Sequence, residues 1–478
     1  MVQSLRHYYR NMLQLRADLW RIPFLMCLAV LLLFVITVNV DRAAARGAVT
    51  LPGWFSVGGA DDARAILGAM LGAVSTVLAL IFSIALLVLS MAVSQFGPRI
   101  LHRFMRDGIT QLTIGLFLAS FIHSLLAFVV TRSDSTSHFV PQVTLLCSVL
   151  LTVVSFAFLV IFSHRIAVSI QTQNVVASIV ADLSETLTQF LAERRVLSAL
   201  PRTAEGLAAR EELLARCTVE GGVVGAVRTG FIQEVNVTAL VHVVDAADAV
   251  VRVLYRPGQF VMKGAPLFQV LPGTRAAELT SALRRTVEIG SHRTLKQDLE
   301  FGTAQLVEIA LRALSPAVND TFTGLTCIDW LGDELRVFAT VQAPTGAYLG
   351  ATGTIRAMWS PLRFERLIKT AFDQIRQAGM GNPAVSIRLL QTFARLAEQI
   401  EDGQYRAALL QQVEAVKEAV PAQALVTSDR ADIEAAYLVA RQVLELGKGV
   451  AITEVENPRA NQIGGTAAVV NDACRRGG

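Results

Sequence analysis

The sequence predicts an integral membrane protein: a four-helix transmembrane domain, then a mixed α+β cytoplasmic region made of a small barrel-sandwich-like β unit and a helical domain. Three observations carry that prediction. Of the 478 residues 53% are hydrophobic and only 17% charged, with a mean hydropathy of +0.48, a balance unusual for a soluble protein. Charge is nearly absent from the stretches between about residues 22 and 163 and returns at ordinary density afterwards. Beyond that point the pattern turns first to helical spacing, then to short β runs, then back to helices.

Four spans account for the N-terminal third. Ile22 to Val40 is a charge-free run of 19 residues and Ala65 to Pro98 one of 34. Gly108 to Thr131 carries only His123, and Ser135 to Ser163 only His138. Each reaches the roughly 18–20 residues that cross a ~30 Å hydrocarbon core, and the second is long enough to tilt or to project beyond it. The expected spans are therefore about 22–40, 65–94, 110–131 and 140–163, within a transmembrane domain of residues 1–168. The first also has the basic flank of a signal peptide and Ala43-Ala44-Ala45 beyond it. Its apolar run exceeds the usual ~7–15 residues, which favours a retained anchor helix.

Arginines in the short loops give the direction. Arg6, Arg10, Arg16, Arg21, Arg99, Arg103, Arg106 and Arg165 fall on one side, and Arg42, Arg46, Arg64 and Arg132 on the other. Eight against four places both termini in the cytoplasm. Trp20 and Trp54-Phe55 are expected as interfacial anchors. The loop from Gln95 to Asp107, basic with apolar Ile100, Leu101, Phe104 and Met105 interleaved, suits a short helix on the inner membrane face.

Two features of the bundle bear on function. Gly68, Gly72, Ser75, Ala79, Ser83, Ser90 and Ser94 recur in span two at steps that share one helical face. Such a face permits close helix packing, and its hydroxyls would also tolerate a water-lined path. His123 is the titratable group deep in the membrane region, where such groups are costly and mark function by default. Flanked by Ser120 and Ser124, it can equally be neutral and satisfied across a helix interface, and the spans as bounded offer no Asp, Glu or Lys as its partner.

After the spans, residues 169–215 are read as connecting helices, with Ile166, Ile170, Val180, Leu183, Leu187 and Phe190 at helical spacing. Residues 216–275 form the β unit. Its segment Arg256-Pro-Gly-Gln-Phe-Val-Met-Lys-Gly-Ala-Pro-Leu267 resembles the hairpin of biotinyl/lipoyl-like domains. In such a hairpin Val261 and Leu267 face a small core and Lys263 is structural rather than a carrier lysine. Residues 276–450 are helical, with helices expected at 302–314, 363–378, 384–401, 405–420 and 430–446. Asn319 or Asp320 is expected to cap the helix after Pro316. Residues 451–478 read as a loose tail. Polar residues concentrate at His292, Arg293, Asp298, Glu300, Arg312, Asn319, Asp320 and Asp329. Helix caps and ion pairs explain such a cluster, and a small-ligand site using the Arg312 guanidinium and the loop amides is the sharper alternative.

Longer stretches carry a family resemblance. Ser83-Ile-Ala-Leu-Leu-Val-Leu-Ser-Met-Ala-Val-Ser-Gln-Phe-Gly-Pro-Arg99, the Arg-Pro-Gly-Gln-Phe-Val segment, Asp298-x-Glu-Phe-Gly302 and Arg312-Ala-Leu-Ser-Pro-Ala-Val-Asn-Asp-Thr-Phe-Thr-Gly-Leu-Thr-Cys-Ile-Asp329 look like the bacterial membrane proteins grouped as domain of unknown function 2254. The resemblance runs from about residue 15 to 445 and implies a bacterial inner-membrane protein without implying an activity. Ala317 stands where the motif usually has Gly, which should slightly stiffen that loop.

Composition narrows the function classes. The net charge of +4 is spread out and forms no basic stripe, so nucleic acid is not an expected partner. The five cysteines show no CxxC pair, which argues against zinc sites and a disulfide scaffold. There is no P-loop, no GxSxG and no HExxH, and the glycines at 221, 222 and 225 lack dinucleotide-fingerprint spacing. No enzyme and no cofactor is expected. Two readings remain: an oligomeric channel or transport-related protein gated by its cytoplasmic region, or a membrane-anchored sensor or scaffold that binds a small ligand or a protein. With only four spans, a pore would have to form between subunits. The bilayer and further copies of the chain are the expected partners.

Overall fold

The computed structural model describes residues 20–47, 59–96, 107–134, 137–169, 172–196, 200–201, 203–340, 345–420 and 425–446. Trp54-Phe55, the basic loop around residues 97–106 and the tail beyond 446 lie outside these. Two compact units divide at Val175/Val176.

The first unit contains four helices long and apolar enough to cross a membrane. They are α1 (Arg21–Ala45), α2 (Ala60–Phe96), α3 (Gly108–Val130) and α4 (Gln142–Ser169). A two-stranded ribbon, β1 (Arg132–Asp134) and β2 (Ser137–Phe139), joins the last two. At 37 residues α2 is about 55 Å long at 1.5 Å per residue, well beyond the hydrocarbon thickness. Asp107 starts α3 by accepting from the Thr110 amide at 2.9 Å and its hydroxyl at 2.7 Å.

α3 is the centre of the bundle, with 56% of its apolar window buried against 17–22% for the other three. Gly115 lets α1 approach it: a Cβ there would meet Met26 Sδ at 2.5 Å and Pro23 Cα at 3.1 Å. α2 packs through a different device. Ala60, Leu67, Val74, Ile81 and Val88 are all buried, and their seven-residue spacing makes a single seam along the helix. Ile114, Phe117, Phe162 and Ile166 complete that core.

The second unit begins within α5 (Thr172–Val196), continues with α6 (Ala204–Glu220), and its strands form two sheets. The larger runs β3 (Gly222–Gly225), β7 (Pro266–Leu271), β5 (Val250–Val253), β10 (Ile355–Trp359), β9 (Ala347–Leu349) in spatial order. The smaller runs β6 (Phe260–Val261), β4 (Gly230–Val235), β8 (Val287–Gly290). Helices α7 (Val237–Ala246) and α8 (Ala276–Arg284) cover a core containing Leu240, Val251, Phe268 and Leu283.

This arrangement departs from the expected hairpin and its boundary. β6 pairs with β4, while β7 pairs with β3 and β5, so the glycine turn between them carries the chain from one sheet to the other. Lys263 lies exposed on that turn, not within a paired hairpin. The strand-bearing part also runs past residue 275. β8 extends the smaller sheet, and β9 and β10 return about a hundred residues after β5 to pair with it and with each other.

The remaining helices are α9 (Leu299–Ala313), α10 (Thr321–Ala339), α11 (Phe364–Ala378), α12 (Pro383–Gln399), α13 (Gly403–Ala419) and α14 (Thr427–Leu446). Short polar residues start several of them, with Asp298, Asp320, Asn382 and Asp402 accepting first-turn amides. Stacked and edge-on rings hold the bundle, among them Phe364 on Tyr405 at 4.4 Å and Phe372 on Phe393 at 5.0 Å.

Candidate functional site

The expected polar cluster at 292–320 divides at α9. At the start of that helix, buried Asp298 caps the Phe301 amide at 3.1 Å. It also takes a bidentate pair from Arg293, at 2.7 Å from Nε and 2.9 Å from Nη2. Burial pushes its carboxyl up, and Arg293 and the Phe301 amide pull it back. Glu300, two residues on, pairs with Arg256 at 3.6 Å and with Arg366. Gly258 lies directly against the Asp298 carboxylate with φ at +88°, a conformation that favours glycine. The Arg-Pro-Gly-Gln segment and the Asp-x-Glu segment are thus two halves of one clasp, joining the sheets to the helices. His292 is exposed, its ring Nδ1 3.1 Å from the Ser291 hydroxyl and its carbonyl accepting from Gln233 at 2.8 Å.

Arg312, Asn319 and Asp320 sit at the far end of α9, which at fifteen residues is about 22 Å long. Arg312 pairs with Glu308 at 3.3 Å. Asp320 rather than Asn319 is the cap of α10, accepting from the Thr323 amide at 3.1 Å and hydroxyl at 2.6 Å. Asn319 supplies the left-handed turn at φ 50°. Asp329 faces α12, where it pairs with Arg388 at 2.6 Å. These residues therefore do not converge on one ligand.

In the membrane unit His123 is fully buried, with Nδ1 2.8 Å from Ser148 Oγ and its ring edge-on to Phe34. Ser120 and Thr152 hydroxyls meet one turn away at 2.9 Å. At the end of the bundle near the β1–β2 ribbon, Asp41 caps α4, accepting from the Val143 and Thr144 amides at 2.8 and 3.0 Å and from the Thr144 hydroxyl at 2.7 Å. α1 runs past the expected span end at residue 40, so this buried carboxylate lies inside the bundle, although it is not the partner of His123. The His123–Ser148 and Ser120–Thr152 pairs form a polar seam between α3 and α4, and Asp41 joins α1 to the start of α4.

Among the described residues nothing packs closely against the small-residue face of α2. Gly68, Gly72, Ser75, Ala79, Ser83 and Ser90 are all exposed, on the side of the helix nearly opposite the buried Leu67–Val88 seam. A Cβ at Gly72 would meet nothing, and one at Gly68 only the tip of Phe128 at 3.9 Å. Ser94 belongs to the same helix, and its side chain lies outside the described residues.

A family model described as "Predicted membrane protein (DUF2254)" matches residues 16–395. The chain belongs to the DUF2254 family. It is similar to uncharacterized proteins of Mycobacterium bovis and Mycobacterium tuberculosis, each 29% identical over 392 residues, which cover 80% of this chain and 73% of theirs. No solved structure matches it.

In this DUF2254 protein one further polar residue stands out, and its signal was present in the sequence. Glu334 shares a helical face with Leu331, Leu335 and Phe338, the i, i+3, i+4 spacing of a buried stripe. Its Oε1 accepts from the Thr303 hydroxyl at 3.2 Å, while Oε2 is shielded from solvent without a hydrogen-bond partner. Burial pushes its carboxyl up to about 8. Cys327, on the same helix, has its thiol pushed up to about 12 by burial, which makes it a packing residue rather than a nucleophile.

Proposed function

We propose that this DUF2254 protein is a multi-pass protein of the bacterial inner membrane, both termini cytoplasmic, that assembles as a homo-oligomer through α2 and passes a small solute or ion between its subunits. The exposed small-residue face of α2 carries the reading. In lipid, glycine, alanine and serine on one face favour close helix approach, and the described residues of the protomer offer this face no partner. Side-chain hydrogen bonds, Ser120 to Thr152 and His123 to Ser148, tie α3 to α4, which favours a path between protomers over one through a single protomer. The arginine bias of the loops supports the orientation.

Cysteine pairs test it. In a variant without native cysteines, Ser75→Cys and Ser83→Cys should each crosslink neighbouring subunits in native membranes, and purified protein in liposomes should pass potassium or chloride. A protein that stays monomeric and leaves both gradients intact removes the proposal. The second reading, a membrane-anchored sensor or scaffold, is favoured by a separate observation, a cavity beside Glu334.

A further inference from the structure

The second unit holds a cavity of about 180 Å³ walled by α5, α9 and α10. α5 contributes Leu183, Leu187 and the Ser184 hydroxyl, α9 contributes Leu306, and α10 contributes Trp330 and Glu334. The walls are mostly hydrocarbon, and the charged side chains among them are both acidic. Asp333 is turned outward in an ion pair with Arg336 at 2.7 Å. Glu334 has one oxygen on Thr303 and the other shielded and unpartnered. The polar groups presented from the surrounding helices are hydroxyls, Thr303 from α9 and Ser184 and Thr188 from α5, with the Trp330 indole and Asp333 from α10 itself. Among the described residues no cationic side chain lines the space.

Those walls select a ligand class by complementarity. A second carboxylate or a phosphate would be repelled. A bare divalent ion needs some six to eight oxygen ligands or a retained water shell, which leucines do not supply. The volume is below the ~300–1,000 Å³ of pockets for drug-sized molecules, so a nucleotide or a lipid tail does not fit. A positive centre carrying short alkyl groups satisfies every wall at once: the charge meets Glu334, the carbons meet Leu183, Leu187 and Leu306, and the indole face attracts a cation.

We propose that this cavity binds a small alkylammonium ion, with Glu334 as its counter-ion and Trp330 as its aromatic wall. Because α5 supplies half of the lining residues, the ligand ties α5 to the α9–α10 pair, and α5 is the helix that follows the last candidate span in the chain. The site deepens the sensor reading and is independent of the α2 face. Ammonium binding can fail while the oligomer stands, and the reverse.

Burial gives the binding a signature. With its carboxyl pushed up to about 8, Glu334 holds a proton at pH 6.5 while the cavity is empty. A bound cation favours the ionised form, so that proton leaves to solvent as the ion pair forms.

The full-length protein in detergent is titrated calorimetrically with tetramethylammonium and butylammonium chloride at pH 6.5. Two buffers of different ionisation enthalpy are used, with sodium chloride as the control. Saturable binding of at least one ammonium is expected, with release approaching one proton per ion. Glu334→Gln, isosteric with the protonated acid, should keep the wild-type melting temperature at pH 5, weaken binding at least tenfold and abolish proton release. Trp330→Leu should weaken the quaternary ion several-fold. Heats no different from sodium chloride for both ions, or a Glu334→Gln variant that binds as tightly as wild type, would overturn the assignment.

Discussion

The His123 imidazole and the Ser148 hydroxyl are 2.8 Å apart, and that same hydroxyl donates to the Thr144 carbonyl at 3.1 Å. A serine has one proton, and with it committed to Thr144 the histidine must donate through Nδ1–H. Nε2 is then a bare acceptor, and it is buried without a partner. The seam is therefore interhelical glue with an unmet acceptor at its middle, next to the equally unpaired Ser124 hydroxyl. Ser148→Ala should strand the Nδ1–H as well, lowering stability by about 1–3 kcal/mol. His123→Leu, which removes the unmet acceptor together with the bond, should cost less than Ser148→Ala. Thermal unfolding in detergent orders the two, and the reverse order would show that His123 is held by something other than Ser148.

Gly115 and Gly72 make a matched pair of opposite expectation. At Gly115 a methyl meets Met26, which can move, and the Pro23 backbone at 3.1 Å, which cannot. Gly115→Ala should lose about 1–3 kcal/mol through overpacking of α1 on α3. At Gly72 the space is open, so Gly72→Ala should leave the protomer unchanged or stabilise it by up to ~1 kcal/mol through helix propensity. Melting curves at equal detergent concentration separate them. Equal destabilisation by both would mean that the α2 face is already packed against another subunit under those conditions.

Gly258→Ala tests the clasp. The new Cβ is directed into the Asp298 carboxylate, and φ at +88° adds backbone strain. The clash forces Asp298 away from Arg293 and uncovers a buried, charged pair, so a loss above about 3 kcal/mol is expected. Limited proteolysis should then cut between the strand-bearing part and α9 first. Unchanged melting and cleavage would mean the clasp is dispensable.

The sequence made the four spans legible because hydrocarbon thickness sets a length that charge-free runs either meet or miss. The edges were less legible for the same reason: stopping span one at its first charge excluded Asp41, which the longer helix buries as the cap of α4. The small-residue stripe of α2 was visible, but not that the packed seam is instead the seven-residue series through Leu67 and Val88, since both repeats fit one helix. Thr144, Ser148 and Thr152, four apart, were the available sign of the partners of His123. The 292–320 cluster looked single because its residues are near in sequence, whereas a fifteen-residue helix holds its ends about 22 Å apart. The β unit reads from sequence as residues 216–275 because β10, which pairs with β5, and β9, which pairs with β10, arrive about a hundred residues downstream, a separation that no local pattern reports.

Glu334 gives stability a pH dependence of definite sign. Its carboxyl titrates at about 8 in the folded protein against an ordinary 4.5, so the folded state holds the proton more tightly than the unfolded one. Its stabilising share is complete below about pH 4.5, declines as pH rises, and is gone above about pH 8. The gap corresponds to at most ~5 kcal/mol, at about 1.4 kcal/mol per pH unit. Glu334→Gln carries no proton to lose and should flatten this part of the profile. Wild type should fall relative to that variant between pH 5.5 and 8 and run parallel to it above. Thr303→Val, which removes the hydrogen bond that favours the ionised form, should push the fall to higher pH. Thermal unfolding of the three full-length proteins across pH 5.5–8.5 reads all of this, and parallel profiles for wild type and Glu334→Gln would mean that the carboxyl reaches water in the folded protein.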